Sequence, residues 1–273
     1  MDPRFGEWLH LFLRWAHVIA GIMWIGQTYL FNWMETRFAT EPPAPGADQN
    51  VAGQLWMVHG GGFYLVEKQR VPELMPRTLY WFKWESFFTW LSGALLLVLL
   101  YYFGGLLVDA SVPGTSFGRS AAVGLGVLAL SWPAYDLLWR SALGRSEAVC
   151  AALCFVLVVA LAYGLCRVLT PRAAYLHVGA MFGTVMAANV WLRILPAQGQ
   201  MIAARRAGRT PDLALSARAG RCSKHNTFLS VPVVFIMISS HFPVATYEND
   251  WNWAILATLI LCGGVAAKLI RDH

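Results

Sequence analysis

Apolar positions in this chain gather into long runs. They show neither the alternation of a half-buried strand nor the three-to-four spacing of a surface helix. An α-helix needs about 20 residues to cross a hydrocarbon core of about 30 Å. Seven runs meet that length, at about Trp8–Thr36, Leu79–Val108, 119–139, 147–169, 173–195, 222–242 and 251–270. The pattern predicts an all-α fold: a polytopic membrane helical bundle of about seven (six to eight) transmembrane helices, in a single domain over residues 1–273. The first run is too long for a cleavable signal and lacks a small-residue cleavage site.

Composition agrees. Of 273 residues, 57% are hydrophobic and 13% charged, with a mean hydropathy of +0.50, too little charge to coat a soluble domain of this size. The net charge of +6 does not indicate nucleic acid, because the basic residues flank the apolar runs as topology determinants do. With the N-terminus outside and the C-terminus inside, sixteen Lys and Arg fall on the cytoplasmic side and five (Arg4, Arg14, Arg119, Arg167, Arg172) on the other. That bias predicts a multi-pass protein of a bacterial inner (cytoplasmic) membrane, in contact with the lipid bilayer.

Two cytoplasmic connections exceed a tight turn. The first, about 37–78, opens Pro-rich and turns apolar around LWMVHGGGFYLVEK, as a short interfacial helix or a re-entrant piece would. The second, about 196–221, is Arg- and Ala-rich and reads as topology determinant or as a helix lying on the anionic inner leaflet. The five cysteines show neither a C-x-x-C-H haem attachment site nor zinc-type spacing, and read as free apolar thiols.

Ionisable side chains inside spans are costly and point to function. His17 and His177 lie at matching depths on the outer side, within about one helical turn, or ~5 Å. His59 and His225 lie on the cytoplasmic side. Two such pairs are what one or two bis-histidine haem b groups would require, each iron taking an imidazole on either face. Arg14, three residues before His17, shares its face and suits a propionate, as do Arg172, Arg221 and Lys224 near the other histidines, unless these cations only snorkel. His241 ends the sixth span outside, sixteen residues (~24 Å) from His225, and suits a proton-transfer group or a helix cap. His10 shares the face of His17 near the interface, and His273 is terminal.

Gly60, Gly61 and Gly62, beside His59, Phe63 and Tyr64, suggest close approach to a flat ligand, or else a plain turn. Lys83 and Glu85 stand among the aromatics of YWFKWESFFTW and could handle protons or an anion, or form an interfacial ion pair. Asp136 and Arg140 are spaced for a local i, i+4 pair.

RWAHVIAGIMWIG at 14–26, VHGGGFYLVEKQRVPELMPRTLYWFKWESFFTWLSG at 58–93, YLHVGAMFGTVMAANVW at 175–191 and RCSKHNTFLSVPVVFIMISSHFP at 221–243 resemble the membrane domain of bacterial membrane-bound urate oxidases (urate hydroxylases). The resemblance spans nearly the whole chain and includes His17, His59, His177, His225 and His241. It implies oxidation of urate toward 5-hydroxyisourate in purine breakdown, with electrons passed to a cytochrome c. Family members typically have about eight spans and a C-terminal c-type cytochrome domain. This sequence ends at His273 without C-x-x-C-H, which implies a separate c-type cytochrome as acceptor or a shortened family member. A planar anion calls for aromatic faces and cationic or hydrogen-bonding groups, for which Trp24, Phe63, Tyr64, Lys83 and His241 are candidates, with His241, Lys83 and Glu85 in catalytic roles. Two other functions fit the same histidines and spans: a b-type cytochrome subunit relaying electrons without urate chemistry, and a purine or anion transporter.

Overall fold

The computed structural model describes residues 3–41, 46, 48–70, 76, 78–109 and 115–272; His273, Arg77 and part of the Pro-rich stretch lie outside the described residues. Helices α1 (Pro3–Thr40), α2 (Trp84–Leu97), α3 (Phe117–Arg140), α4 (Glu147–Val168), α5 (Pro171–Asn189), α6 (Leu195–Arg206), α7 (Leu213–Ser239) and α8 (Asn252–Asp272) form an all-α bundle. Among the described residues, six helical segments are long and apolar enough to cross a membrane, with α5 and α6 counting as one continuous helix over Pro171–Arg206. The α7 helix falls short of that composition because Arg218, Arg221, Lys224 and His225 occupy its N-terminal half. It nevertheless packs along α1, α5 and α8.

The helices begin where the local chemistry predicts. Thr170 Oγ1 accepts from the Ala173 N–H (3.2 Å) ahead of Pro171, and Asp212 Oδ1 accepts from the Ala214 N–H (2.9 Å). Most of the bundle's outer surface is apolar: Trp8 (71%), Leu130 (67%) and Leu137 (72%) are exposed, as lipid-facing side chains are. Helix α5 is the exception and forms the centre, with half of its apolar window buried where the other spans bury no more than 22%. Small residues allow close approach around it. A Cβ on Gly179 would stand 2.9 Å from Ile236, and one on Gly263 2.8 Å from the backbone of Pro232.

The two long connections differ from the sequence expectation. Residues 51–69 form an antiparallel hairpin, β1 (Val51–His59) and β2 (Gly62–Gln69), rather than an interfacial helix or re-entrant piece. Gly60 (φ 57°) and Gly61 (φ 81°) supply the two left-handed positions of a two-residue turn. The hairpin rests on α1, where Gly53 meets Phe38, and Lys68 pairs with Glu35. Within 196–221, α6 prolongs α5 and α7 begins at Leu213, so this segment is a helical extension of two spans and not a separate in-plane helix.

Wide helical turns interrupt two spans. Val98–Phe103 continues α2 and Val190–Ile194 joins α5 to α6, both with π geometry. Such turns re-aim side chains and are frequent at functional sites. Here they carry Tyr101 and Tyr102 in one case and Arg193 in the other.

Candidate functional site

At the end of the bundle where α3, α4, α7 and the turn joining α5 to α6 meet, a cleft of ≈ 580 Å³ opens. That volume suits a small ligand. Its lining holds five arginines (Arg140, Arg145, Arg193, Arg218, Arg221) against two carboxylates, Asp136 and Glu147. Both carboxylates are taken. Arg193 grips Asp136 through Nε (2.7 Å) and Nη2, with Arg140 adding a contact at 3.3 Å, and Lys224 pairs with Glu147 at 2.6 Å. The local Asp136–Arg140 pair expected from sequence is present but secondary, because only Arg193 offers a two-pronged fork. Arg145, Arg218 and Arg221 have no carboxylate partner among the described residues.

Aromatic rings and a histidine complete the wall. Trp139 lies against His225 with ring centroids 4.1 Å apart, and Tyr135 Oη meets His225 Nδ1 at 2.6 Å. Behind them runs a buried polar network. Asn189 (0% exposed) takes the Trp132 Nε1–H (3.2 Å) and donates to Tyr135 Oη (3.2 Å) and Asn226 Oδ1 (3.0 Å). Asn226 in turn donates to the Met186 carbonyl at 3.0 Å. The Arg193 guanidinium also lies over the Trp132 ring at 5.2 Å, which ties the network to the ion pair. Surplus cations, flat rings and a hydrogen-bonding histidine can bind a planar anion.

The other residues singled out from sequence are dispersed. His17 Nδ1 donates to the Thr89 carbonyl (2.9 Å) and lies by Ser92 Oγ (3.2 Å), tying α1 to α2. His177 is fully buried on α5: Nδ1 donates to the Ala173 carbonyl (2.7 Å), and Nε2 meets Tyr102 Oη (3.0 Å). His17 therefore meets α2 at Thr89–Gly93 and His177 meets its π continuation at Tyr101–Tyr102, about 15 Å further along the axis. His59 sits exposed beside the hairpin turn, while His225 faces α3. Neither expected pair directs two imidazole nitrogens at one point. Both nitrogens of His177 are already engaged, and Arg14 donates from Nη2 to His10 Nε2 (3.0 Å) instead of serving His17. The residues do not fit bis-histidine haem, because the rotation of each helix, which spacing alone does not fix, turns the rings toward separate neighbours.

Nor do the proposed catalytic residues meet. Lys83 and Glu85 lie at the start of α2, on the side where α1 ends, and His241 lies exposed past the far end of α7. Lys83 Nζ sits over three tryptophan rings, Trp81 (5.6 Å), Trp84 (5.4 Å) and Trp191 (5.9 Å). Glu85 Oε1 accepts from Gln27 at 3.4 Å, and its buried Oε2 has no partner among the described residues. Trp24 is core, packed with Met186, Ala187 and Val190, while Phe63 and Tyr64 are exposed on the hairpin. A Cβ on Gly60 or Gly61 would meet nothing within 4 Å, so the turn itself accounts for these two glycines. Sequence reasoning missed Tyr135, Trp139, Arg193, Asn189 and Asn226. The two asparagines inside apolar spans were the available signal.

Fold and cleft together define a multi-pass helical membrane protein with an arginine-rich cleft at one end of its bundle. The chain belongs to the family described as urate oxidase N-terminal, whose model matches residues 3–272. No curated protein and no solved structure matches it.

Proposed function

We propose that the protein is a membrane-bound urate oxidase that binds urate in the arginine-rich cleft. The observation that carries this is the cleft's composition: flat aromatic walls and surplus arginines, in a chain whose family match is to urate oxidases. The reaction balances as urate plus water giving 5-hydroxyisourate, two electrons and two protons. The electrons pass to a one-electron acceptor, which we take to be a c-type cytochrome. Arg218 and Arg221 draw in the anion, Trp139 and Tyr135 offer faces against which the purine ring lies, and His225 hydrogen-bonds its edge. The Asp136–Arg193 pair holds α3 against the α5–α6 junction and keeps that wall in place. The cleft lies at the basic ends of the helices; taking these to face the cytoplasm, as the positive-inside bias suggests, urate enters from that side.

The test is direct. Protein purified in detergent is mixed with urate and oxidised cytochrome c without oxygen, and urate loss and cytochrome reduction are followed together. The expected result is two cytochromes reduced per urate consumed, with the substrate KM raised about tenfold or more in an Arg218→Ala, Arg221→Ala double variant. Absence of urate consumption overturns the reading. Urate loss without cytochrome reduction overturns the acceptor alone.

A further inference from the structure

We propose that His225 stands in the cleft as its Nε2–H tautomer, fixed by the Trp132–Asn189–Tyr135 chain, and gives that N–H to an acceptor edge of the bound planar anion. The last part rests on the reading of the cleft as a urate site. The tautomer does not.

Two groups at the ends of this chain have a hydrogen-bonding direction that cannot change. The Trp132 indole N–H is only a donor, so the atom of Asn189 that faces it at 3.2 Å is Oδ1. At the other end the Met186 carbonyl is only an acceptor, so Asn226 presents Nδ2 to it at 3.0 Å and turns Oδ1 toward Asn189. With both ends fixed, Asn189 Nδ2 spends its two hydrogens on Asn226 Oδ1 (3.0 Å) and Tyr135 Oη (3.2 Å). Asn189 and Asn226 are 0% and 2% exposed, which leaves water no access to rearrange them. Tyr135 Oη, having accepted one hydrogen bond, directs its own O–H at His225 Nδ1, 2.6 Å away. Nδ1 is therefore an acceptor, and the proton of the neutral ring sits on Nε2.

The other two intramembrane histidines have the opposite arrangement. His17 and His177 each give Nδ1–H to a main-chain carbonyl, of Thr89 and Ala173 respectively. A carbonyl can only accept, so in both the remaining nitrogen is the acceptor. His225 alone turns a donor away from its protein partner, and it alone lines the cleft. A fixed N–H donor among arginines favours an anionic acceptor edge and disfavours a ligand that presents its own donor there. Tyr135 and Asn189 are positioning residues, acting through His225.

Nitrogen-15 NMR of histidine-labelled protein in detergent tests this, with His225 assigned by loss of its signals in His225→Gln. The expected spectrum has Nδ1 unprotonated and Nε2 protonated for His225, and the reverse for His177. In Tyr135→Phe the preference collapses to a mixture, and the KM for urate rises about tenfold with kcat less affected, one hydrogen bond's worth of orientation having been lost. Asn189→Asp offers a second test, because a carboxylate at that position takes the Tyr135 O–H for itself and releases Nδ1. An Nδ1–H signal for His225 in the wild-type protein overturns the tautomer. An unchanged His225 spectrum in both variants overturns the chain that fixes it. Failure of wild-type protein to bind urate by calorimetry overturns donation to urate together with the proposed function, while the NMR result decides the tautomer separately.

Discussion

Two histidine–tyrosine pairs stand at opposite ends of this bundle, and they are built from the same chemistry to different ends. His177 and Tyr102 are enclosed: the imidazole is fully buried, both of its nitrogens are engaged, and Gly124 lies against the pair so closely that a Cβ there would be 2.9 Å from Nε2. His225 and Tyr135 border an open cleft instead, with one ring nitrogen committed to tyrosine and the ring face against Trp139. A buried polar pair with every valence filled specifies packing. A pair with one valence left toward a ligand-sized cavity is equipped to bind or react. What separates the two roles is the occupancy of the last nitrogen, not the residue types.

The comparison is most exposed to substitution at the two histidines. His225→Ala should lower kcat/KM for urate by about 10- to 100-fold, chiefly through KM, while changing the thermal unfolding midpoint less than His177→Ala does, since its ring borders an open cleft. His177→Ala should do the opposite. A cavity and an unsatisfied Tyr102 hydroxyl should remove about 2–4 kcal/mol of stability, while turnover per folded molecule is kept. Cytochrome-linked kinetics normalised to folded protein, alongside denaturation in detergent, would check both. Equal loss of turnover in the two variants would erase the distinction between the pairs.

A gentler probe of the enclosed pair is Gly124→Ala. The added methyl would lie 2.6 Å from Tyr102 Oη and 2.9 Å from His177 Nε2, so α3 and α5 must separate or the pair must shift. Overpacking of this kind costs about 1–3 kcal/mol. The effect should appear in the unfolding midpoint and in the His177 nitrogen-15 signals, with urate affinity unchanged at the far end of the bundle.

How much of this was legible in the sequence follows from what each feature depends on. The spans depend on run length and apolarity, and the predicted boundaries of α3, α4 and α8 fall close to the observed ones. Histidines in apolar runs are likewise visible, because burial cost attaches to the residue itself. Their pairing is not, because it depends on how each helix is rotated about its axis. The π turns at Val98–Phe103 and Val190–Ile194 change that rotation partway along a span without any marker in composition. Tyr102 and Arg193 reach His177 and Asp136 from those turns, so neither contact follows from a regular 3.6-residue repeat. The cleft draws its arginines from three stretches remote in sequence, each of which reads alone as an ordinary topology signal. The hairpin had a marker in the paired glycines at 60–61, which the neighbouring histidine and aromatics made look like a ligand cradle instead.

That hairpin supplies the smallest expected effect and the control for the others. Gly60 and Gly61 adopt φ of 57° and 81°, a region that costs a side-chain-bearing residue about 1–2 kcal/mol, most for a β-branched one. Space is not the constraint, since a Cβ at either position meets nothing within 4 Å. Gly60→Val should therefore weaken the turn by strain alone, and Gly60→Asn, which tolerates the left-handed region, should largely restore it. Hydrogen exchange over residues 51–69 should quicken by about tenfold in the valine variant and little in the asparagine variant, with urate affinity and both histidine spectra unchanged. If the three glycines instead cradled the substrate, both substitutions would weaken urate binding whatever their backbone preference. The valine–asparagine contrast thus separates a turn from a binding surface, and shows whether the cleft beside His225 acts without help from the HGGG segment.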